Sequence, residues 1–381
     1  MRPTLRSGTW VNNPQLLVGA MCLGLLLFTL PAAAQVSTRG QVSTRGQVGI
    51  EGRTFYPDDV DQTEDFGLGL SSRLELTHRH DGWREQVRGF ARVDAVDSER
   101  NILILEEAWF GFRSKWVKFR IGAQMLDWTA TEAFHPADVL NSRNLDSNLE
   151  NAEKLGEPMV KLDVRFFDGE ISAYYMPLRL APNLPGPASR LSFIPRDPPV
   201  APGGQPVVPG DAIWVDRDGG ISRGVISHQW AATINQTVGP IDLGIQVLQH
   251  NDRSQPTVVL DTARGTAHAL HHLVTHIGLT GVWAEEFFSI KVEGAYRMFG
   301  DLSDQAPARY LAIDQRRTPQ DHLQVALGLE IGWEWESGHD STWLLEGQAV
   351  FLSDSDAVPN SEAERRALSP FQGDVLVGYR H

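Results

Sequence analysis

Gly220-Ile221-Ser222-Arg223-Gly224 has the G-x-S-x-G spacing that presents a nucleophilic serine in many hydrolases. That chemistry needs a strand turning sharply into a helix, which holds the hydroxyl on a strained elbow. Here a glycine-rich stretch leads into a strand-like segment, so the spacing reads as loop. His268, His271, His272 and His276 form the histidine cluster of the chain. On one strand face His272 and His276 would stand about 13 Å apart, too far to share a zinc bound at about 2 Å. His268, His271 and His272 could share one only if the strand began later than its pattern suggests. No metal site, cofactor or catalytic triad is legible, and a protein that is not an enzyme is expected.

The other residues able to do work are charges spaced by two. Arg73, Arg88, Arg92, Arg120 and Arg165 recur on the polar side of alternating segments, with Arg79, Arg113, Lys118 and Lys161 on the same side. In the later segments Glu293, Glu330, Glu334 and Glu346 take these places beside Lys291 and Arg297. If the polar sides share one interior, a basic wall faces a mildly acidic one, a field that orients polar solutes.

Period two is the strand period. It is clearest where Phe66, Leu68, Leu70, Leu74 and Leu76 alternate with Gly67, Gly69, Ser71, Arg73 and Glu75. The same reading places strands near 47–56, 66–80, 84–95, 101–114, 116–126, 158–167, 170–178, 225–237, 240–250, 267–281, 286–299, 321–335, 341–352 and 371–381. Every second gap is tight, as at 80–84, 114–115 and 238–240, whereas most of the others are long, as at 127–157, 179–224 and 300–320. A soluble sandwich has no reason to gather its long loops on one edge, but a transmembrane barrel has short turns at one rim and long loops at the other. Trp83, Trp116, Trp283, Trp333 and Trp335 fall at or beside the tight gaps, where an interfacial girdle sets amphipathic rings at headgroup depth. The expected fold is all-β, a transmembrane antiparallel up-and-down β-barrel of about 14 strands, closed because a strand in lipid has no water for its backbone.

Composition agrees. Among 381 residues, 41% are hydrophobic, 35 are glycine and one is cysteine, which excludes a disordered chain, a collagen and a disulfide scaffold. A net charge of −14 argues against nucleic acid as a partner. Arg2 and Arg6 precede an apolar run at 16–30, then Pro31 and Ala32-Ala33-Ala34, the pattern of a cleavable signal peptide over 1–34. Cys22 lies in this segment and would leave with it. Residues 35–46 repeat QVSTRG twice and read as a flexible duplicated leader, so the barrel is expected over 47–381. Insertion machinery commonly reads an aromatic last residue, but this chain stops at Gly378-Tyr379-Arg380-His381, through an atypical signal or missing strands.

Two loops carry a family resemblance. Gly122-Ala123-Gln124 with Trp128, followed by Asp138-Val139-Leu140-Asn141, is similar to the G-x-Q-(x)-W and D-x-x-N signature of an uncharacterised proteobacterial outer-membrane β-barrel (porin-like) family, a domain of unknown function. Tyr175-Met176-Pro177, then Pro182, Leu184-Pro185 and Ser189-Arg190, resembles that family's proline-spaced second signature. Thr129 and Ser142 depart from the glycine and proline usual there. The resemblance implies an outer-membrane barrel and names no substrate.

The loop at 127–157 carries Asp127, Glu132, Asp138 and Asp146; folded inward, it would set acids against the arginine wall and narrow the channel. The expected function is a porin-like outer-membrane channel giving passive or weakly selective passage to small polar or charged solutes. Its expected partners are outer-membrane lipid, those solutes and the insertion machinery. A barrel enzyme acting on lipid or surface peptide, and a structural or assembly barrel with a blocked lumen, are the alternatives.

Overall fold

The computed structural model describes residues 40–54, 66–146, 153–184, 207–254, 256–261, 263–300, 302, 310–312, 319–335, 340–353 and 373–380. Fourteen strands form one sheet in which every strand pairs with its neighbours in sequence. They are β1 (Gln41–Thr54), β2 (Phe66–His80), β3 (Trp83–Asp94), β4 (Ile102–Arg113), β5 (Val117–Gln124), β6 (Glu157–Phe166), β7 (Gly169–Leu178), β8 (Ile226–Val238), β9 (Ile241–Asn251), β10 (Leu273–Ala284), β11 (Phe288–Phe299), β12 (His322–Glu334), β13 (Asp340–Leu352) and β14 (Gly373–Arg380). All thirteen pairings are antiparallel. No register joins β1 to β14 among the described residues.

Burial decides which way the sheet faces. The apolar rows, including Leu68, Leu70, Leu74 and Leu76 on β2 and Leu323, Leu327 and Ile331 on β12, lie exposed on the outside. Inside, Arg92, Asp163, Glu293, Arg297 and Glu346 are buried. This inversion of a soluble core is what hydrocarbon on the outer face demands. The chain has the fold of a transmembrane β-barrel.

The tight turns are locally encoded. Between β2 and β3, Asp81 and Gly82 both take positive φ, 43° and 87°, as a two-residue hairpin turn matched to strand twist requires. At that rim Trp83, Trp116, Trp283, Trp333 and Trp335 all present their rings outward.

Three details differ from the sequence reading. The second QVSTRG copy is not leader: Gln41 to Gly46 open β1, paired with Arg79 to Leu74. Its alternation is that of a strand, with Arg45 opposite Glu75 across the ladder. The first copy and the signal segment lie outside the described residues. Second, the segment expected as one strand at 267–281 breaks at His272. Thr266–His271 joins a separate outer sheet, and only Leu273 onward runs in the barrel. Third, β4 carries a bulge opposite Arg88 and Gly89, so that Glu106 is the extra residue and both Glu106 and Glu107 turn inward and are buried. Strict alternation along β4 would point only one of these two neighbours inward.

Candidate functional site

The interior is built around the chain between β5 and β6. Gly122 has a φ of 127°, and a Cβ there would stand 2.2 Å from the Ala108 carbonyl oxygen, so only glycine lets β5 lie this close to β4 as it ends. Two residues on, the chain leaves the wall and is clamped. The Asn141 amide donates to the Gln124 and Leu155 carbonyls at 2.9 Å and accepts from the Leu126 N–H. Asp138 accepts from Arg143 at 2.6 Å, meets Lys154 at the same distance and takes the Trp128 N–H at 3.4 Å. Trp128 packs edge-on against Tyr174 of β7, ring centroids 5.6 Å apart. The residues that carry the family resemblance thus build the root of one inward-folded loop. Ser142, where that pattern has proline, donates to the Leu180 carbonyl.

From this root the loop packs on one wall and reaches the other. Leu126 and Leu140 join Met159, Tyr174, Met176, Ala231 and Leu248 in an apolar cluster against β6–β9. Farther out the loop meets two fully buried carboxylates. Glu293 of β11 accepts from the Thr131 N–H at 2.9 Å, the Thr131 hydroxyl at 2.7 Å, and the Ala130 and Ala137 N–H groups. Glu346 of β13 accepts from the Glu132 and Ala133 N–H groups. The Gln246 amide of β9 donates to the Ala137 carbonyl at 2.6 Å.

The loop acids sit otherwise than the arrangement expected from sequence. Glu132 bonds Lys291 at 2.7 Å on the second-half wall, with Arg380 at 3.9 Å. Asp127 meets Lys154, and Asp138 stays at the root. Asp146 is buried and offers its backbone carbonyl to Arg92. The acids that face the arginines come from the strands themselves. Arg73 binds Glu106 at 2.7 Å, and Arg88 lies within 3.1 Å of Glu106 and 3.8 Å of Glu75. Arg120 stands 3.9 Å from Asp163 and over the Trp109 ring, and Arg165 stands 3.8 Å from Glu170. Arg92 differs from the rest: it is buried, bonded to Glu153 and to the Arg100 and Asp146 carbonyls, and holds loops together. The basic wall is therefore a ladder of alternating sign. Arg73, Arg88, Arg120 and Arg165 keep side-chain exposures of 37%, 23%, 25% and 39%.

No family model and no curated protein matches the chain. Among solved structures it is similar to OmpT, an outer membrane protein of Vibrio cholerae, at 12% identity and a TM-score of 0.44 over 83% of this chain and 85% of that one. It is also similar to an anion-selective porin from Comamonas acidovorans, at 8% identity and a TM-score of 0.39 over 81% and 84%. A third likeness is to the outer membrane channel DcaP of Acinetobacter baumannii, at 13% identity and a TM-score of 0.42 over 84% and 82%.

Over the long-loop rim lies the second sheet, where Ile213, Val215, Val259 and Leu270 form its apolar core. Ser222 of the G-x-S-x-G spacing belongs here, bonded to Arg179 at 2.8 Å and to Asp216. Those partners are structural, and among the described residues the hydroxyl is hydrogen-bonded to no imidazole that could act as a base. No three His, Cys, Asp or Glu side chains among the described residues are placed to hold a metal.

His271 stacks on Trp214 at 4.6 Å, and its Nδ1 bonds the Asp252 carbonyl. Burial pushes the His271 imidazole down to about 4, so it is neutral at pH 7. Its unfolded value is about 6.5. The folded form therefore binds fewer protons between those values, and the stability it gives is full above about pH 6.5 and lost as pH falls toward about 4. His272, pushed down to about 4 by the same burial, adds to the effect. The outer sheet should loosen in acid. The emission difference between the native protein and Trp214→Phe, followed from pH 8 to pH 3.5, should collapse below about pH 5. A difference that stays constant across that range would refute the assignment.

Proposed function

We propose that the chain forms an outer-membrane channel for passive, weakly selective passage of small polar and charged solutes, without catalysis of its own, and that the inward loop sets its bore. The observation that carries this reading is the inverted wall. Apolar rows face outward, and on the inner side of β2, β3, β5 and β6 partly exposed arginines alternate with carboxylates. Such a ladder keeps water in the lumen and offers each passing charge a sequence of weak partners, binding enough to admit an ion and little enough to release it. The apolar packing of the loop against β6–β9 favours a second reading, a barrel whose lumen is blocked.

Planar-bilayer recording from purified protein separates the two. Steady open steps are expected, and their absence from heat-modifiable, folded barrels would establish the blocked form. Reversing Arg73 and Arg88 to glutamate should move the zero-current potential in a salt gradient toward cation preference. Reversal of Arg92 acts on folding instead, because that side chain is buried among loop carbonyls. An unchanged potential in the Arg73 and Arg88 variant would remove the ladder from the permeation path.

A further inference from the structure

Below the inward loop, toward the short-turn rim, the lumen opens into a cavity of about 620 Å³. Thr129 of the loop lines its upper side, and Arg165, Glu170, Asn235, Asp242 and Thr280 from the inner faces of β6–β10 line its wall. That volume lies in the range of small-molecule sites, roughly 300–1,000 Å³.

Among the charged members of this wall Glu170 is paired, Asp242 is bonded to a hydroxyl, and Asp168 lies exposed beside the turn. Glu170 takes Lys118 at 2.5 Å with Arg165 at 3.8 Å, and Asp242 accepts the Thr237 hydroxyl at 2.6 Å. Two neutral groups converge instead. The Thr280 hydroxyl oxygen and the Asn235 amide oxygen both lie over Gly244, where a Cβ would meet them at 2.3 and 2.8 Å. Only glycine at 244 leaves room for both, and neither side chain is held by another described residue. An amide and a hydroxyl each donate and accept, and together they match the paired donor and acceptor character of neighbouring hydroxyls on a solute.

From this we infer that the notch between Asn235 and Thr280 is a resting site for an uncharged, hydroxyl-rich solute of sugar size on its way through the lumen. The inference rests on the channel reading and names a solute class for it. The two groups of the notch offer a charged solute no counter-charge, and an apolar solute would have to strip water from the amide and the hydroxyl without replacing its bonds.

The test is current blockade by maltose added to the open channel, with each channel's own open level as the reference. Brief, concentration-dependent interruptions are expected in the native protein. In the Asn235→Ala/Thr280→Val double variant, residence should shorten about tenfold, the effect of about one lost hydrogen bond. A conducting native channel that maltose never interrupts, unaltered residence in the double variant, or equal blockade by sodium gluconate would overturn the inference. Saturation-transfer NMR of maltose with the detergent-solubilised protein reads the same site without any current. Transfer that the double variant abolishes, in a protein that does not conduct, would uphold the site and overturn the channel. Absence of transfer there would overturn both.

Discussion

Replacing Glu293 and Glu346 together by glutamine should free the inward loop and raise single-channel conductance about twofold, with added open-channel noise. The reason is the direction of the bonds. Both carboxylates are fully buried, and between them they accept N–H groups from Ala130, Thr131, Glu132, Ala133 and Ala137 together with the Thr131 hydroxyl. A carboxylate offers acceptors on both oxygens, whereas an amide turns an NH2 group toward backbone donors at one of them. Hydrogen bonds to a charged group are worth about 1.5–3 kcal/mol each, and a buried donor left unmet costs about 1–3 kcal/mol. A loss of about 3 kcal/mol at each site is about a hundredfold in the docked ratio. The single variants should therefore show flicker between two levels, and the double variant the higher level alone. The apolar contacts of Leu126 and Leu140 remain, so the root stays while the outer part of the loop swings. Bilayer recordings in which the double variant keeps the native conductance would show that the carboxylates do not hold the loop.

Arg253→Met should be the most destabilising single change, by about 3–5 kcal/mol, because removing one partner of a buried pair strands the other charge. Arg253 is buried and bonds Glu157 of β6 at 2.6 Å, Gln229 of β8 at 3.3 Å and the Leu140 carbonyl of the inward loop. Glu157 is fully buried and, among the described residues, has no other side-chain cation. The expected readout is a lower urea midpoint for the folded-to-unfolded gel shift in detergent. Arg253→Met combined with Glu157→Leu should recover much of the loss, since replacing a buried pair by apolar groups is often neutral. A double variant as weak as the single one would place the damage in the lost Leu140 contact.

Much of the wall could be read without coordinates. Leu68 to Leu76 alternate with Arg73 and Glu75 because one strand must satisfy two solvents, and that demand is written residue by residue. Asp81-Gly82 fixes a hairpin by its own dihedral freedom. The rim tryptophans are legible for the same local reason. Gly122, Gln124, Trp128, Asp138 and Asn141 stood out as a motif, but nothing in their spacing showed that Asn141 clamps both ends of a loop. Parity failed at Glu106, where a bulge shifts the count by one, and at His272, where two sheets share one run of alternating residues.

Strand order, facing and turn placement followed from the sequence alone, because period and turn chemistry act within a few residues. The three-dimensional structure decided where the loop goes and what neutralises each charge. Glu293 meets Thr131 across 162 positions and Glu346 meets Glu132 across 214, encounters set by how far the sheet curls. No local pattern encodes that curvature, so the bore of the lumen belongs to the folded sheet and not to any segment of it.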